Sequence, residues 1–406
     1  MKLEDFRQEV TAIPDDPFTR VADHIKPLIQ RDDVLINCHC HVFNQKTVPK
    51  ALFNMKMPYN KRLAARIVKF LHRLNKRSND DWGSRQAYFI DLFSKETREI
   101  AGKLVSYYPP GTIFTPLMMD MHNRAGSEKR KPAEYYIREQ AKDLKALIDN
   151  GYNFLPFLPV DPTFEDLTRG ELDVFDVFVR GFTGRYGIMP FGIKVYPTLG
   201  YLPGHPKLME IYRVCQEKNI PVTAHCSRGV VHGYKKRIRN IEGWKIGPDG
   251  QLTDKTENRW FLTGNSYAKY FNHPKNWEKI LDSFPNLRLN LGHFGGARQW
   301  EMLREGRNNT WVSRIFNYFM RPEFKNVFAD LSFTNAHPDL FPLIRDRIER
   351  TRIVRERTLY GIDYYMVVVK GHYRSLKADF DVAMGDDIIR KIGIENPRAF
   401  LFGSRE

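Results

Sequence analysis

Cysteine is scarce in this chain, with Cys38, Cys40, Cys215 and Cys226 as the only four in 406 residues. So few cysteines cannot supply a disulfide framework for this length, and they favour a reducing compartment. Long apolar runs are lacking too. No window of about 18 apolar residues suits a membrane-spanning helix, and the charged start MKLEDFRQEV does not suit a signal peptide. We therefore expect a cytoplasmic protein without a membrane segment.

Acidic residues are also in deficit, since 48 Asp and Glu face 64 Lys and Arg, a formal net charge of +16. A basic balance can attract nucleic acid, anionic membranes or acidic substrates without deciding among them. Eight basic residues and no acid lie between Lys56 and Arg77, where apolar residues recur at helical spacing. This pattern predicts a basic amphipathic helix over 56–77. A solvated lid helix is the main interpretation, and contact with phosphate or a membrane is the alternative.

Eight short apolar runs alternate with polar, helix-like stretches. They lie at 33–43, 112–120, 153–161, 187–197, 220–227, 287–295, 326–333 and 358–365. Near-continuous apolar runs separated by helical segments are typical of parallel strands covered on both faces. Eight such units favour a closed α/β fold, the (β/α)8 TIM barrel, over an open doubly wound sheet. We expect one domain over residues 1–406.

Two connections are too long for a simple crossover. We predict a helical insertion over 44–108, after strand one, and a long loop insertion over 228–275, after strand five. Loops at the C-terminal face of such a barrel build the walls and lid of the site. Residues 1–32 are predicted to be a helical lead-in.

Polar residues stand where several apolar runs end. Strand one ends in His39-Cys40-His41, and later strands end in Lys194, His225, His293, Asp330 and Asp363. Because side chains alternate along a strand, His39 and His41 point the same way, about 7 Å apart. They can share one ion, whereas Cys38 and Cys40 face the opposite side, which argues against a cysteine site. Two ordinary loop histidines are the alternative, weakened by the further strand-end residues.

A metal centre of His39, His41, His225 and Asp363 would offer three imidazole nitrogens and one carboxylate. This set suits Zn²⁺, with Mn²⁺, Fe²⁺ or Co²⁺ as alternatives, and suits Mg²⁺ or Ca²⁺ poorly. An open position would hold a water that the ion turns into a nucleophile. Asp363 could take the proton of that water. His293 could polarise a carbonyl or protonate a leaving group, or only support a ligand through a hydrogen bond.

Lys194, Arg228, Arg298 and Tyr201 are candidates for binding substrate. A buried ammonium is costly unless it is paired or altered. Lys194 could pair with a substrate carboxylate, or be carbamylated and bridge a second metal ion. Alternatively, its side chain points outward or neutralises Asp330 or another acid. The two arginines could grip an anionic group with two parallel hydrogen bonds, or be ordinary surface residues. Tyr201, in the loop after strand four, is a weaker candidate.

Short motifs in strand order resemble the amidohydrolase superfamily. They are HCH at 39–41, AHCS around His225, LGHFGG around His293, GID around Asp363 and ENPRAFLFG at 395–403. The similarity spans 34–403 and is greatest to the amidohydrolase-2 branch, which includes aminocarboxymuconate-semialdehyde decarboxylase. It implies a (β/α)8 barrel in which His39, His41, His225 and Asp363 are ligands and His293 is the acid/base partner. Strand one departs from the usual Asp-x-His-x-His, because Asn37 stands at the first position.

Hydrolysis of a C–N or C–O bond in a small anionic amide, lactone or ester is the leading hypothesis for function. Nonoxidative decarboxylation of an unsaturated or aromatic acid is the nearest competitor, because it needs the same residues. A metal-dependent nuclease would fit the basic charge, but the middle-strand glutamate of such nucleases is not found, so nucleic acid is disfavoured as a partner. A barrel without catalysis would not need all four ligand positions intact. A small-molecule substrate is expected, and a homo-oligomer stays open.

Overall fold

The computed structural model describes residues 1–47, 82–120, 133–163, 173–228, 236–246, 252–254 and 256–403. The segment 56–77, predicted to be a basic amphipathic helix, lies outside these ranges.

Each of the eight predicted apolar runs contains a strand. In chain order they are β1 Ile36–Cys40, β2 Ile113–Pro116, β3 Phe157–Val160, β4 Gly192–Val195, β5 Val222–His225, β6 Arg237–Ile241, β7 Trp244–Ile246, β8 Leu252–Asp254, β9 Glu257–Trp260, β10 Leu289–Gly292, β11 Val327–Asp330 and β12 Thr358–Leu359. Strands β1 to β5 and β10 to β12 each fall inside one predicted run, and their residues are buried. Burial on both faces explains why these strands read as continuous apolar runs.

These eight strands form a closed parallel barrel. Six of them form one sheet in the order β12-β11-β10-β5-β4-β3, and β1 pairs with β2. Backbone hydrogen bonds join the two sheets at both seams: Phe114 N donates to Asn153 O at 2.9 Å, and Cys38 N donates to Tyr360 O at 2.9 Å. Isolated parallel bridges lie at the same seams. The predicted (β/α)8 barrel is confirmed.

Helices cover the outside of the barrel. They are α1 Leu3–Glu9, α2 Lys26–Gln30, α3 Trp82–Phe93, α4 Thr97–Val105, α5 Ala133–Asp149, α6 Val174–Phe182, α7 Pro206–Glu217, α8 Gly264–Phe271, α9 Glu278–Ser283, α10 Ala297–Arg304, α11 Trp311–Met320, α12 Phe341–Arg350, α13 Arg352–Arg357, α14 Tyr373–Met384, α15 Asp386–Arg390 and α16 Asn396–Phe402. Their apolar faces pack on the strands. Helix α6 is one example, and Asp173 caps its N-terminus by accepting hydrogen bonds from Phe175 N and Asp176 N. None of the helices within the described ranges has the length and apolar character needed to cross a bilayer.

The lead-in and the two insertions have their own secondary structure. Helices α1 and α2 occupy the lead-in, and Phe6 of α1 stacks on Phe175 of α6 with ring centroids 4.2 Å apart. Helices α3 and α4 lie between β1 and β2. The insertion after β5, expected to be a long loop, contains two antiparallel pairs, β6 with β9 and β7 with β8, followed by α8.

Candidate metal centre

Strand β1 presents the rings of His39 and His41 with their Nδ1 atoms already hydrogen-bonded. His39 Nδ1 lies 2.9 Å from Asp330 Oδ2, and His41 Nδ1 lies 2.9 Å from Leu117 O. A carboxylate and a carbonyl can only accept, so in the neutral rings each Nδ1 carries the hydrogen. The Nε2 atoms of both rings therefore carry lone pairs, which is the form of histidine that binds a metal ion.

Asp363, which follows β12, directs its carboxylate at the same point. Its Oδ1 lies 3.2 Å from His41 Nε2 and 3.7 Å from His39 Nε2. Both Asp363 Oδ1 and His39 Nε2 are buried and have no hydrogen-bond partner among the residues that the structure describes. Ligand atoms of the three residues lie within 4.8 Å of one another. Three acceptors that face each other in a buried site are unfavourable alone, and a cation between them removes that cost. The residues therefore fit a divalent metal ion.

Burial and mutual interaction set the protonation of this cluster. Burial lowers the pKa of His39 to about 4, and it also lowers the pKa values of His225 and His293. Burial opposes ionisation of Asp330 and Asp363, but the neighbouring imidazoles hold the pKa of each carboxyl below its ordinary value. Neutral imidazoles with ionised carboxylates are the state in which these groups bind a metal ion.

His225 and His293 form a pair beside this cluster. His293 Nδ1 lies 3.1 Å from Ser332 O and therefore donates to it, so His293 Nε2 accepts from His225 Nδ1 at 2.9 Å. His225 Nε2 in turn lies 3.0 Å from Ser227 Oγ. The ring of His293 lies 4.6 Å from that of His39 and 4.4 Å from that of His225. Three of the four predicted ligands, His39, His41 and Asp363, thus meet directly. The ring of His293 lies between His225 and His39.

The backbone that carries these residues is unusual at the strand ends. His293 and Asp363 have φ values of 67° and 59°, in the left-handed region that side chains other than glycine rarely adopt. Asp363 N donates to His39 O at 3.0 Å, which ties the two segments together. Gly361 makes this approach feasible, because a Cβ at that position would lie 2.8 Å from the Cβ of His39. Such strain persists where the surroundings enforce it, often at functional sites.

The four predicted substrate residues are placed very differently. Lys194 is 1% exposed, and its Nζ has no hydrogen-bond partner within the described part of the chain. Burial lowers its pKa to about 8, against the opposing effect of Asp330 and Asp363. Arg228 is half-buried, and its guanidinium carbon lies 5.5 Å from the ring centroid of Trp311.

Arg298 and Tyr201 are engaged elsewhere. Arg298 is 57% exposed and forms ion pairs with Glu301 and Glu305 at the surface. The Tyr201 hydroxyl donates to Val160 O at 3.0 Å and accepts from Tyr196 N at 2.7 Å. The structure thus brings Lys194 into the electrostatic reach of the cluster and does not bring Arg298 or the Tyr201 hydroxyl to it.

Residues outside the candidate ligand set support the site. The sequence indicates Asp330 only as a strand-end acid and a counter-charge for Lys194, yet its carboxylate accepts a hydrogen bond from His39 Nδ1. The Ser332 hydroxyl lies 3.0 Å from His39 Nδ1 and 2.9 Å from His293 Nδ1. Asp330 carried a signal, its position at the end of a barrel strand. Ser332 carried none, because an isolated serine after a strand is common.

A closed barrel with a buried His/Asp cluster at its strand ends defines a metal-dependent enzyme of the TIM-barrel class. Residues 36–403 match the family model Amidohydro_2, described as amidohydrolase. The chain belongs to this amidohydrolase family.

Solved structures are similar to this chain at low identity. Manganese-bound 5-carboxyvanillate decarboxylase from Novosphingobium aromaticivorans, in complex with 4-hydroxy-3-methoxy-5-nitrobenzoic acid, has 12% identity and a TM-score of 0.50 over 91% of this chain and 96% of its own. A candidate 2-pyrone-4,6-dicarboxylic acid hydrolase from Pseudomonas putida has 11% identity and a TM-score of 0.48 over 92% and 99%. A TIM-barrel protein from Bordetella bronchiseptica has 15% identity and a TM-score of 0.47 over 90% of this chain and 98% of its own. No curated protein matches the chain.

Proposed function

We propose that this chain, as one domain, is a metal-dependent hydrolase that cleaves a C–N or C–O bond of a small anionic amide, lactone or ester. The observation that carries the proposal is the convergence of His39 Nε2, His41 Nε2 and Asp363 Oδ1 on one buried point. The four cysteines are buried and unpaired, which supports a reducing compartment, the cytoplasm, as the place of action.

His39, His41 and Asp363 would hold the ion, and His225 is the proposed fourth ligand. Its Nε2 would have to give up the contact with Ser227 to reach the ion. Two or three imidazoles with one carboxylate favour Zn²⁺ over Mg²⁺ or Ca²⁺. When bound, the ion supplies Lewis-acid chemistry, which polarises a carbonyl and makes a water molecule more acidic.

The chain's own residues would manage the proton and the substrate. Asp363 Oδ1 is an ionised acceptor at the site, so it can take a proton from a water molecule beside it. His293 Nε2 accepts from His225 Nδ1, so it would have to leave that contact to take up a proton and pass it to a leaving group. Lys194 Nζ is buried and forms no hydrogen bond to the described residues, so it can bind an anionic substituent.

A second ion is the alternative arrangement of the cofactor. Carbamylation would turn the Lys194 ammonium into an anion, which can bridge two metal ions. The pairing of His225 with His293 at 2.9 Å supports this alternative, since it places two further imidazoles together beside the first three ligands. The mass of the intact protein distinguishes the two cases, because carbamylation adds one CO₂.

Nonoxidative decarboxylation is the second candidate. Lys194 favours it, because a buried ammonium without a hydrogen-bond partner among the described residues could hold the carboxylate of an acid. The same ligands and the same His293 would serve this reaction. The similarity to 5-carboxyvanillate decarboxylase concerns the fold alone.

Metal analysis combined with a substrate screen tests the proposal. We expect about one equivalent of a transition metal per chain, and turnover of members of a panel of small amides, lactones, esters and carboxylic acids. Incorporation of oxygen from labelled water identifies hydrolysis, whereas release of CO₂ without such incorporation identifies decarboxylation. Purified protein that binds neither zinc nor manganese would contradict both.

A further inference from the structure

Asp330, the last residue of β11, is surrounded by four N–H donors in the interior of the barrel. Its Oδ2 accepts from His39 Nδ1 at 2.9 Å and from Asn290 Nδ2 at 2.7 Å. Its Oδ1 accepts from the backbone nitrogens of His293 at 3.1 Å and Ser332 at 3.0 Å. One fully buried carboxylate therefore connects β1, β10 and the turn that follows β11.

We propose that Asp330 is the positioning residue of the metal centre. It holds His39 in the tautomer with hydrogen on Nδ1, so the Nε2 lone pair faces His41 and Asp363. It also fixes the left-handed backbone of His293 through its nitrogen. The part that concerns His39 as a ligand rests on the proposed function, whereas the tautomer of His39 can be tested separately.

Four donors require a group that accepts on both atoms. A carboxylate has two acceptor oxygens and no hydrogen, so it can satisfy two donors on each side. An amide has one acceptor and one NH₂ group, and in either orientation the NH₂ group would face two N–H donors. The buried charge is costly alone, and the four charge-assisted hydrogen bonds offset that cost.

A simple pairing with Lys194 does not explain this arrangement. Among the described residues Lys194 Nζ has no hydrogen-bond partner, so it does not bond Asp330. The two residues interact only through space. Asp330 is instead engaged by the residues whose orientation the site needs, which is the reason to assign it a positioning role.

The Asp330→Asn variant of the full chain tests the proposal, with Asp161→Asn as the matched control. Asp161 is also a buried acid after a barrel strand, and its Oδ1 accepts from Thr163 N and Thr163 Oγ1 at 2.8 and 2.6 Å. Affinity for Zn²⁺ is measured by competition with a chelator. We expect Asp330→Asn to weaken binding roughly tenfold to a hundredfold and Asp161→Asn to leave it unchanged. Equal Zn²⁺ affinity in wild type and a folded Asp330→Asn variant would overturn the proposal.

A second readout needs no variant of Asp330. Nitrogen-15 NMR of metal-free wild-type protein reports which nitrogen of His39 carries the hydrogen, and the signal is assigned by its loss in His39→Gln. Hydrogen on Nδ1 supports the proposal, and hydrogen on Nε2 overturns it even if Asp330→Asn does not fold. Absence of metal binding in the wild type would remove the proposed function while this readout still decides the role of Asp330.

Discussion

His293 Nε2 accepts a hydrogen bond from His225 Nδ1 at 2.9 Å, so each ring fixes the orientation of the other. The two histidines come from the ends of adjacent strands, since β10 pairs with β5 and places Gly292 opposite His225. A change at either residue will therefore affect its neighbour. Their proposed roles differ, because His225 is a proposed ligand and His293 a proposed acid or base. Metal content separates these roles.

His225→Ala is expected to lose most of the bound metal. It removes one imidazole donor and leaves His293 without its partner. Metal content is measured on the purified variant by elemental analysis, beside the wild type. Full occupancy in a folded His225→Ala protein would remove His225 from the ligand set and leave the group of His39, His41 and Asp363.

His293→Ala is expected to retain the ion and lose rate, by a factor of about 100 or more if His293 is the acid or base. Its ring nitrogens bond Ser332 and His225 rather than the unpartnered atoms of the cluster. Metal content and kcat are measured on the same sample. Loss of metal equal to that in His225→Ala would make His293 a ligand, as the arrangement with two ions requires.

Asp363→Asn is expected to abolish turnover while the barrel stays folded. The amide is similar in size to the carboxylate but cannot take a proton at Oδ1, and it is a poorer ligand. Circular dichroism reports the fold, and activity is compared with that of Asp339→Asn, a surface acid that pairs with Arg304. Wild-type rates in Asp363→Asn would exclude Asp363 as the proton acceptor.

The barrel and the proximity of most of its candidate ligands were predictable because they depend on local pattern. Each strand is a short apolar run, and parallel strands bring their C-terminal ends to one mouth, so His39, His41 and Asp363 had to be near one another. The roles of Ser332 and Tyr201 were not predictable. The Tyr201 hydroxyl is engaged by backbone atoms of β3 and of the β4 end, and such tertiary pairings leave no periodic trace in a sequence. The pairs β6–β9 and β7–β8 were not predictable because each strand has only three to five residues, too few to establish a periodic pattern.

Gly361→Ala is expected to disturb the centre through sterics alone. The added Cβ would lie 2.8 Å from the Cβ of His39 and 3.2 Å from its nitrogen, and both belong to a buried strand that cannot move freely. We expect about 1–3 kcal/mol of destabilisation and weaker metal binding. Denaturant unfolding and chelator competition measure these effects. The control is Gly102→Ala in α4. Its new Cβ would contact the Tyr152 hydroxyl at 3.4 Å, so this variant should not lose stability.

Metal-free protein is expected to lose stability as the pH falls from 6.5 toward 4. Burial lowers the pKa of His39 from 6.5 to about 4 in the folded chain. Between these values the unfolded chain binds a proton at His39 that the folded chain does not, so the free energy of unfolding decreases on acidification. The shift in the pKa of His39 corresponds to a loss of about 3 kcal/mol in the free energy of unfolding across this pH range. The lowered pKa values of His225 and His293 act in the same direction.

Denaturant titrations of chelator-treated protein across this window measure the slope, and the same titrations on His39→Gln isolate the part that His39 contributes. The variant should show a shallower dependence on pH, because it has no imidazole to protonate at that position. Identical slopes in the two proteins would mean that His39 is not held neutral by the fold. The pKa of His39 would then lie near its ordinary value of about 6.5, so metal binding at or below that pH would release a proton from its imidazole.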